Sequence, residues 1–192
     1  MKNKGLWIAI AVVAAIVIWI FSSYNGMITM EESVNSSWSQ VENQYQRRMD
    51  LIPNLVNTVK GYAAHEEGTL TAVVEARAKA TNLTVDINDA ESLAKYQETQ
   101  GELSKAMSRL MMITENYPDL KANQNFLQLQ AQLEGTENRI STERKRFNEA
   151  VQTFNTSIRR FPNSIIAGIF GFAQKPYFEA DQAASVAPTV NF

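Results

Sequence analysis

The chain has 192 residues, with 18 basic and 20 acidic side chains, no cysteine and one histidine. A net charge of -2 offers no concentrated basic face for phosphate neutralisation, so nucleic acid is not an expected partner. The missing cysteines exclude disulfides and zinc-thiolate sites, and the lone His65 excludes any site built on two histidines. No cofactor is expected, although a metal held by carboxylates alone stays formally open.

The first element is an uncharged apolar run, Leu6 to Phe21, reading LWIAIAVVAAIVIWIF. With Gly5 and Ser22 it reaches the lower end of the length that crosses a hydrocarbon core. Trp7 and Trp19 stand near its ends, where amphipathic rings prefer the membrane interface. A cleaved secretory signal is the rival reading. It requires small residues in A-x-A order before the cut, whereas this run ends in Ile20, Phe21, Ser22, Ser23 and Tyr24. A retained single-pass anchor over residues 1–22 is therefore expected. Lys2 and Lys4 precede it, and the first cation after it is Arg47, which by the positive-inside bias puts the N-terminus in the cytoplasm and the remainder outside. For a bacterial chain the location is the cytoplasmic (inner) membrane.

Residues 23–26, Ser-Tyr-Asn-Gly, have turn chemistry and are expected to form a hinge. From Met27 onward Val34, Trp38, Val41, Tyr45, Ile52, Leu55, Val59 and Tyr62 follow three-four spacing, a heptad seam in which Arg48 takes one apolar slot. Pro53 lacks an amide donor, so the helix should kink or restart there, with Asp50 as the cap. Gly61 to Gly68 read as a helix end and Thr69 as the next cap, opening a short helix through Ala80. After an Asn- and Asp-containing loop, Asp89 caps a helix with its seam on Leu93, Tyr96, Leu103, Met107, Leu110 and Tyr117. Gln100 and Thr114 fill its remaining slots, and Pro118 terminates it. The last long helix starts near Ala122 and carries Phe126, Leu129, Leu133, Ile140, Phe147, Val151, Phe154, Ile158 and Phe161, with Glu137 and Arg144 in its two unfilled slots.

These elements predict an all-α protein: an N-terminal transmembrane helix, then an antiparallel up-down bundle of three long helices and one short helix over residues 27–160. Residues 161–192 form an apolar hook, IIAGIFGF, and a loose tail ending in PTVNF. The hook is too short to span a bilayer. Ile165, Ile166, Ile169, Phe170 and Phe172 are its candidate contacts with the bundle, with a membrane surface or with a neighbouring subunit.

The stretches YNGMITMEESVNSSWSQVENQYQRRMDLIPNLVNTVKGYAAHE from Tyr24, ENYPDLKANQNFLQLQAQLEGTENRI from Glu115 and FNEAVQTFNTSIRRFPNSIIAGIFGF from Phe147 resemble the LemA family of bacterial membrane-anchored helical proteins. RRMDLIPNLV, YPDLKAN and TENRI are specific in combination. Phe147 and Phe154 depart from the pattern, because tyrosine is common there in the family. The resemblance implies a single-pass anchor and a bundle, with no established enzymatic activity and no cofactor or catalytic residue. Family members often accompany membrane proteases or other envelope quality-control components, which implies an adaptor or scaffold role.

Among the polar residues Arg47, Arg48, Asp50, His65, Glu137, Arg139 and Arg144, those in apolar slots matter most. A buried charge needs a partner, so Arg48 and Arg144 are expected to meet Glu137 or Asp50 inside the bundle and fix helix register. His65 reads as a helix C-terminal residue interacting with the dipole. Catalysis lacks visible groups: no second histidine supports a serine nucleophile, and a carboxylate-based hydrolase or transferase is the weakest reading. The leading functional reading is a non-enzymatic membrane-anchored scaffold that recruits proteins; a structural subunit of a large membrane-attached homo-oligomer is its alternative.

Overall fold

A computed structural model describes residues 4–179. The described residues form six helices and no strand: α1 (Lys4–Lys60), α2 (Glu67–Asn82), α3 (Ala90–Thr114), α4 (Pro118–Lys121), α5 (Gln124–Arg159) and α6 (Asn163–Phe170). The PTVNF end of the tail lies outside the described residues.

Helix α1 spans 57 residues without a break. The hinge expected at residues 23–26 is helical, because packing outweighs the weak local propensity of Ser, Asn and Gly. Ile20, Tyr24, Met27 and Met30 all pack into the same core cluster, and the Thr29 hydroxyl donates back to the Asn25 carbonyl at 3.0 Å. The restart expected at Pro53 is also absent, and the reason is local. Proline removes the donor that would bond the carbonyl four residues earlier, at Met49. Arg77 on α2 replaces it: its Nε donates to the Met49 carbonyl at 2.9 Å. Asp50 caps nothing; it is exposed and accepts from Gln46 Nε2 at 2.8 Å.

Capping at the other ends follows side-chain chemistry. The Asp89 carboxylate accepts from the amides of Glu91 and Ser92, and the Asn123 side chain accepts from Phe126 N–H at 3.1 Å. Thr69 is not a cap, since α2 already begins at Glu67. Pro118 opens the short α4 rather than ending α3, in keeping with its tolerance at a helix start.

The long helices alternate in direction. Met27 to Tyr45 of α1 share a cluster with Ile140 to Ile158 of α5, while Met49 to Val59 share another with Phe126 and Leu133, so the two helices run antiparallel. Helices α2 and α3 are antiparallel too, with Tyr117 Oη donating to Glu66 at one end and Lys79 facing Glu102 toward the other.

The core is thereby divided in two along its length. The half far from the apolar run packs Ile52, Leu55 and Val59 against Leu70 and Val73 of α2, Leu103 and Leu110 of α3, and Phe126 and Leu133 of α5. The near half has no α2. Its third wall is the first two turns of α3, the 83–87 loop and the segment after α6, which supplies Phe172 and Phe178. That segment, expected to be a loose tail, packs into the bundle as an extended strap through residue 179. Gly171, in the left-handed region at φ 77°, turns the chain from α6 into the strap, a conformation that costs other residues energy and glycine little.

Candidate functional site

Two polar constellations interrupt this core. The first is centred on Arg48, which is only 1% exposed and sits at the boundary between the two clusters. Its NH1 group donates to Glu137 Oε1 at 2.5 Å and to Ser104 Oγ at 2.9 Å. Its NH2 group bonds the Gln100 side-chain carbonyl and lies 3.4 Å from the Gln100 backbone carbonyl. The guanidinium stands 5.1 Å from the Tyr45 ring centre. One arginine on α1 therefore ties α3 to α5. Arg48 Nε and Gln100 Nε2 are buried donors with no hydrogen-bond partner among the described residues, so acceptors are already short in this layer and losing another would strand a further donor.

The structure pairs Arg48 with Glu137 and leaves Asp50 out, while Arg144 stands near Tyr45 without pairing with either acid. Expected to join Arg48 in an internal charge cluster, Arg144 instead donates from NH2 to the Glu179 carbonyl at 3.1 Å and lies 4.7 Å from the Phe178 ring centre. It faces the strap because the near half lacks α2 and leaves a groove there. Asp50 points to solvent from the opposite side of the seam. Arg47, Arg139 and His65 are exposed, His65 in the turn between α1 and α2.

The second constellation holds the strap. Asn155 Nδ2 donates to the Lys175 carbonyl at 2.8 Å, and Asn155 Oδ1 accepts from the Lys175 amide at 2.9 Å. Asn148 does the same to Phe178, at 3.0 and 2.9 Å, and Gln97 to Glu179, at 2.9 and 3.2 Å. Each carboxamide thus reads one residue's backbone as a neighbouring strand would. The spacing fits: seven helical residues rise about 10.5 Å, and three extended residues cover about 10 Å. Between the rungs, the buried Lys175 ammonium bonds Asn88 Oδ1 at 2.6 Å and Glu31 Oε1 at 3.0 Å, with its Nζ 5.5 Å from the Phe154 ring centre. Phe178 stacks on Trp38 at 5.8 Å and meets Phe147 edge-on at 5.4 Å.

Reading by apolar slots missed these residues. Gln100 was visible as a polar residue in a seam slot, and Asn148 and Asn155 as a Phe-Asn pair repeated seven residues apart. Gln97, Ser104, Arg77 and Lys175 carry no comparable sequence signal. Of the hook residues, Ile166 is buried and Phe172 half-buried against the bundle, so neither is free for a partner, whereas Ile165, Ile169 and Phe170 are exposed.

Burial pushes the phenols of Tyr45 and Tyr96 above their ordinary value; at Tyr45 the nearby Arg144 and Arg48 cations oppose the rise without offsetting it. The hydrogen bond to Glu66 raises Tyr117 likewise. Among the described residues no group of three acidic or histidine side chains is placed to hold a metal ion. What both constellations do chemically is hold: charges and amides are bonded to neighbouring elements rather than presented to a substrate.

Unbroken from an exposed apolar span into a buried seam, α1 defines the class: a membrane-associated helical bundle with one candidate membrane-crossing segment, lying within α1 near the N-terminus. The LemA family profile matches residues 37–192, and the chain belongs to that family. It is similar to magnetosome protein MamQ of Magnetospirillum gryphiswaldense, 27% identical with 93% of this chain and 73% of that protein covered. A MamQ protein of Paramagnetospirillum magneticum is 26% identical over 92% of this chain and 72% of its own. Protein LemA of Metamycoplasma hominis is 22% identical, covering 84% of this chain and 71% of its own. None of these relatives is named for an enzymatic activity.

Proposed function

We propose that the protein is a non-enzymatic membrane-anchored scaffold whose bundle is held at a fixed distance from the bilayer and recruits other envelope proteins. The observation that carries this reading is the continuity of α1: the same helix supplies the exposed apolar span and, without a joint, the seam of the core. A rigid stalk fixes position and orientation, which a recruiting surface needs and a freely tethered domain lacks. Ion pairing of Arg48 with Glu137 serves this rigidity by fixing the register of α1 against α5.

The lysines at positions 2 and 4 support a cytoplasmic N-terminus with the bundle outside, at the inner membrane. A membrane protease or another quality-control component is the kind of partner that the family's associations favour. Crosslinking of the full-length protein in its native membrane, followed by affinity isolation, should recover a reproducible set of membrane proteins. Crosslinks to copies of itself alone would replace recruitment with a structural homo-oligomer. In sealed vesicles, protease added from the periplasmic side should digest the bundle; protection there would reverse the orientation.

A further inference from the structure

Helix α6 carries an apolar face that the bundle does not use. Ile166 and Ala167 are buried against the near core, while Ile165 and Ile169, one turn apart on the opposite side, are 55% and 72% exposed. Phe161, just before the helix, is 82% exposed, and Phe170 is 51% exposed even though its ring lies 4.7 Å from that of Tyr24. No acidic or basic residue falls within α6. Exposed apolar groups clustered in this way mark a contact surface.

Its position identifies the occupant. Helix α6 packs on α1 beside Ile20 and Tyr24, and the uncharged apolar run of α1 ends at Phe21. Three helical residues rise about 4.5 Å, and the headgroup layer on each side of a bilayer is about 5–7 Å deep. The α1 anchor therefore places α6 inside the headgroup layer. Charge agrees with this depth: Arg159 and Arg160 are exposed at the end of α5 that leads into α6, whereas the first acidic residues of α1 are Glu31 and Glu32. Seven residues past Tyr24, Glu31 stands about 10 Å further from the membrane.

We infer that α6 is a second membrane contact, a short interfacial helix that inserts Ile165, Ile169 and the Phe161 and Phe170 rings among lipid headgroups, with Arg159 and Arg160 facing anionic lipid. The occupant of the exposed face is the bilayer surface itself, continuous with the surface that α1 crosses. The inference rests on the membrane-anchored reading of α1. It adds that the bundle meets the bilayer at two places, so tilting it on its anchor would lift the apolar face of α6 out of the headgroup layer.

The test uses the full chain, which has no cysteine of its own, with single cysteines introduced at exposed positions: Ile165→Cys, Ile169→Cys, Ile10→Cys in the apolar run and Met112→Cys on the far half. Each is labelled with bimane and reconstituted into phosphatidylcholine–phosphatidylglycerol vesicles carrying nitroxide lipids, with the quencher either near the headgroup or deep in the acyl chain. Labels at 165 and 169 should be quenched several-fold more than at 112, most by the shallow nitroxide, and the label at 10 most by the deep one. Quenching at 165 and 169 no greater than at 112, with 10 still quenched, would overturn the interfacial role and leave the anchor standing. Loss of quenching at 10 as well would remove the anchor and the inference together. Absence of lipid quenching at 169, together with disulfide-linked dimers when unlabelled Ile169→Cys is oxidised in the same vesicles, would overturn it in favour of a second copy of the chain.

Discussion

The two halves of the bundle share α1 and α5 but are closed by different means. The far half is walled by α2 through Leu70, Val73 and Ala80, apolar side chains at helical spacing. In the near half α2 is replaced by an extended strap that lacks the intrahelical bonds with which a helix satisfies its own backbone. Its amides and carbonyls must find partners elsewhere, and Asn155, Asn148 and Gln97 provide them. A helical wall needs only an apolar stripe on its neighbours, whereas an extended wall also needs polar side chains pointing inward.

The largest effect should come from removing the aromatic wedge of the near half. Phe178→Ala deletes a buried ring packed on Trp38 and Phe147 and should cost about 3–5 kcal/mol. Hydrogen exchange should show the loss of protection concentrated in the strap and the adjoining stretch of α5, with Leu103 to Leu110 unchanged; uniform loss would mean the halves do not differ. At the boundary, Glu137→Leu strands the Arg48 charge and should cost about 3 kcal/mol, the low end for a broken buried pair, because Glu137 is 42% exposed. Adding Arg48→Met should recover part of the loss in urea unfolding, and strict additivity would contradict the coupling.

A smaller effect belongs to the far half. Arg77→Met leaves the Met49 carbonyl without its donor and should cost about 1–2 kcal/mol. The same change in a Pro53→Ala background should cost less, since the restored amide reoccupies that carbonyl. Equal costs in both backgrounds would break the explanation of why the helix continues through Pro53. The smallest effect is a dependence on alkali at the boundary. Tyr96 and Tyr45 are raised by burial, so the stability their neutral phenols contribute is full below the unfolded value of about 10 and is lost as pH rises above it. Thermal melts across that range should show a shallower decline for Tyr96→Phe than for the natural chain; identical slopes would rule out a contribution from Tyr96.

Most of the fold is legible in the sequence because it is written in apolar spacing, which α1, α3 and α5 display plainly. The errors share a cause: local signals were outweighed by contacts distant in sequence. Ser22 to Gly26 look like a hinge until Tyr24 and Met27 are packed, and Pro53 looks like a break until Arg77 arrives from α2. Arg48 and Glu137 are conspicuous as charges in apolar slots, but Arg144 has the same signature and a different partner, and slot position alone does not separate them. The strap was hidden for a physical reason. Its stability resides in backbone groups, which every residue possesses, and in carboxamides whose partners lie 20, 30 and 82 residues away.

The central claim is that the half of the bundle nearest the membrane is completed by the strap. Hydrogen exchange of the full-length protein in nanodiscs tests it most directly, at the amides of Lys175 and Phe178, each of which donates to an asparagine carboxamide. Both should be protected to the level of Val151 and Phe154 in α5, and Asn155→Ala should abolish protection at Lys175 first. Exchange of Lys175 and Phe178 at the rate of an open chain, with α5 still protected, would contradict the account.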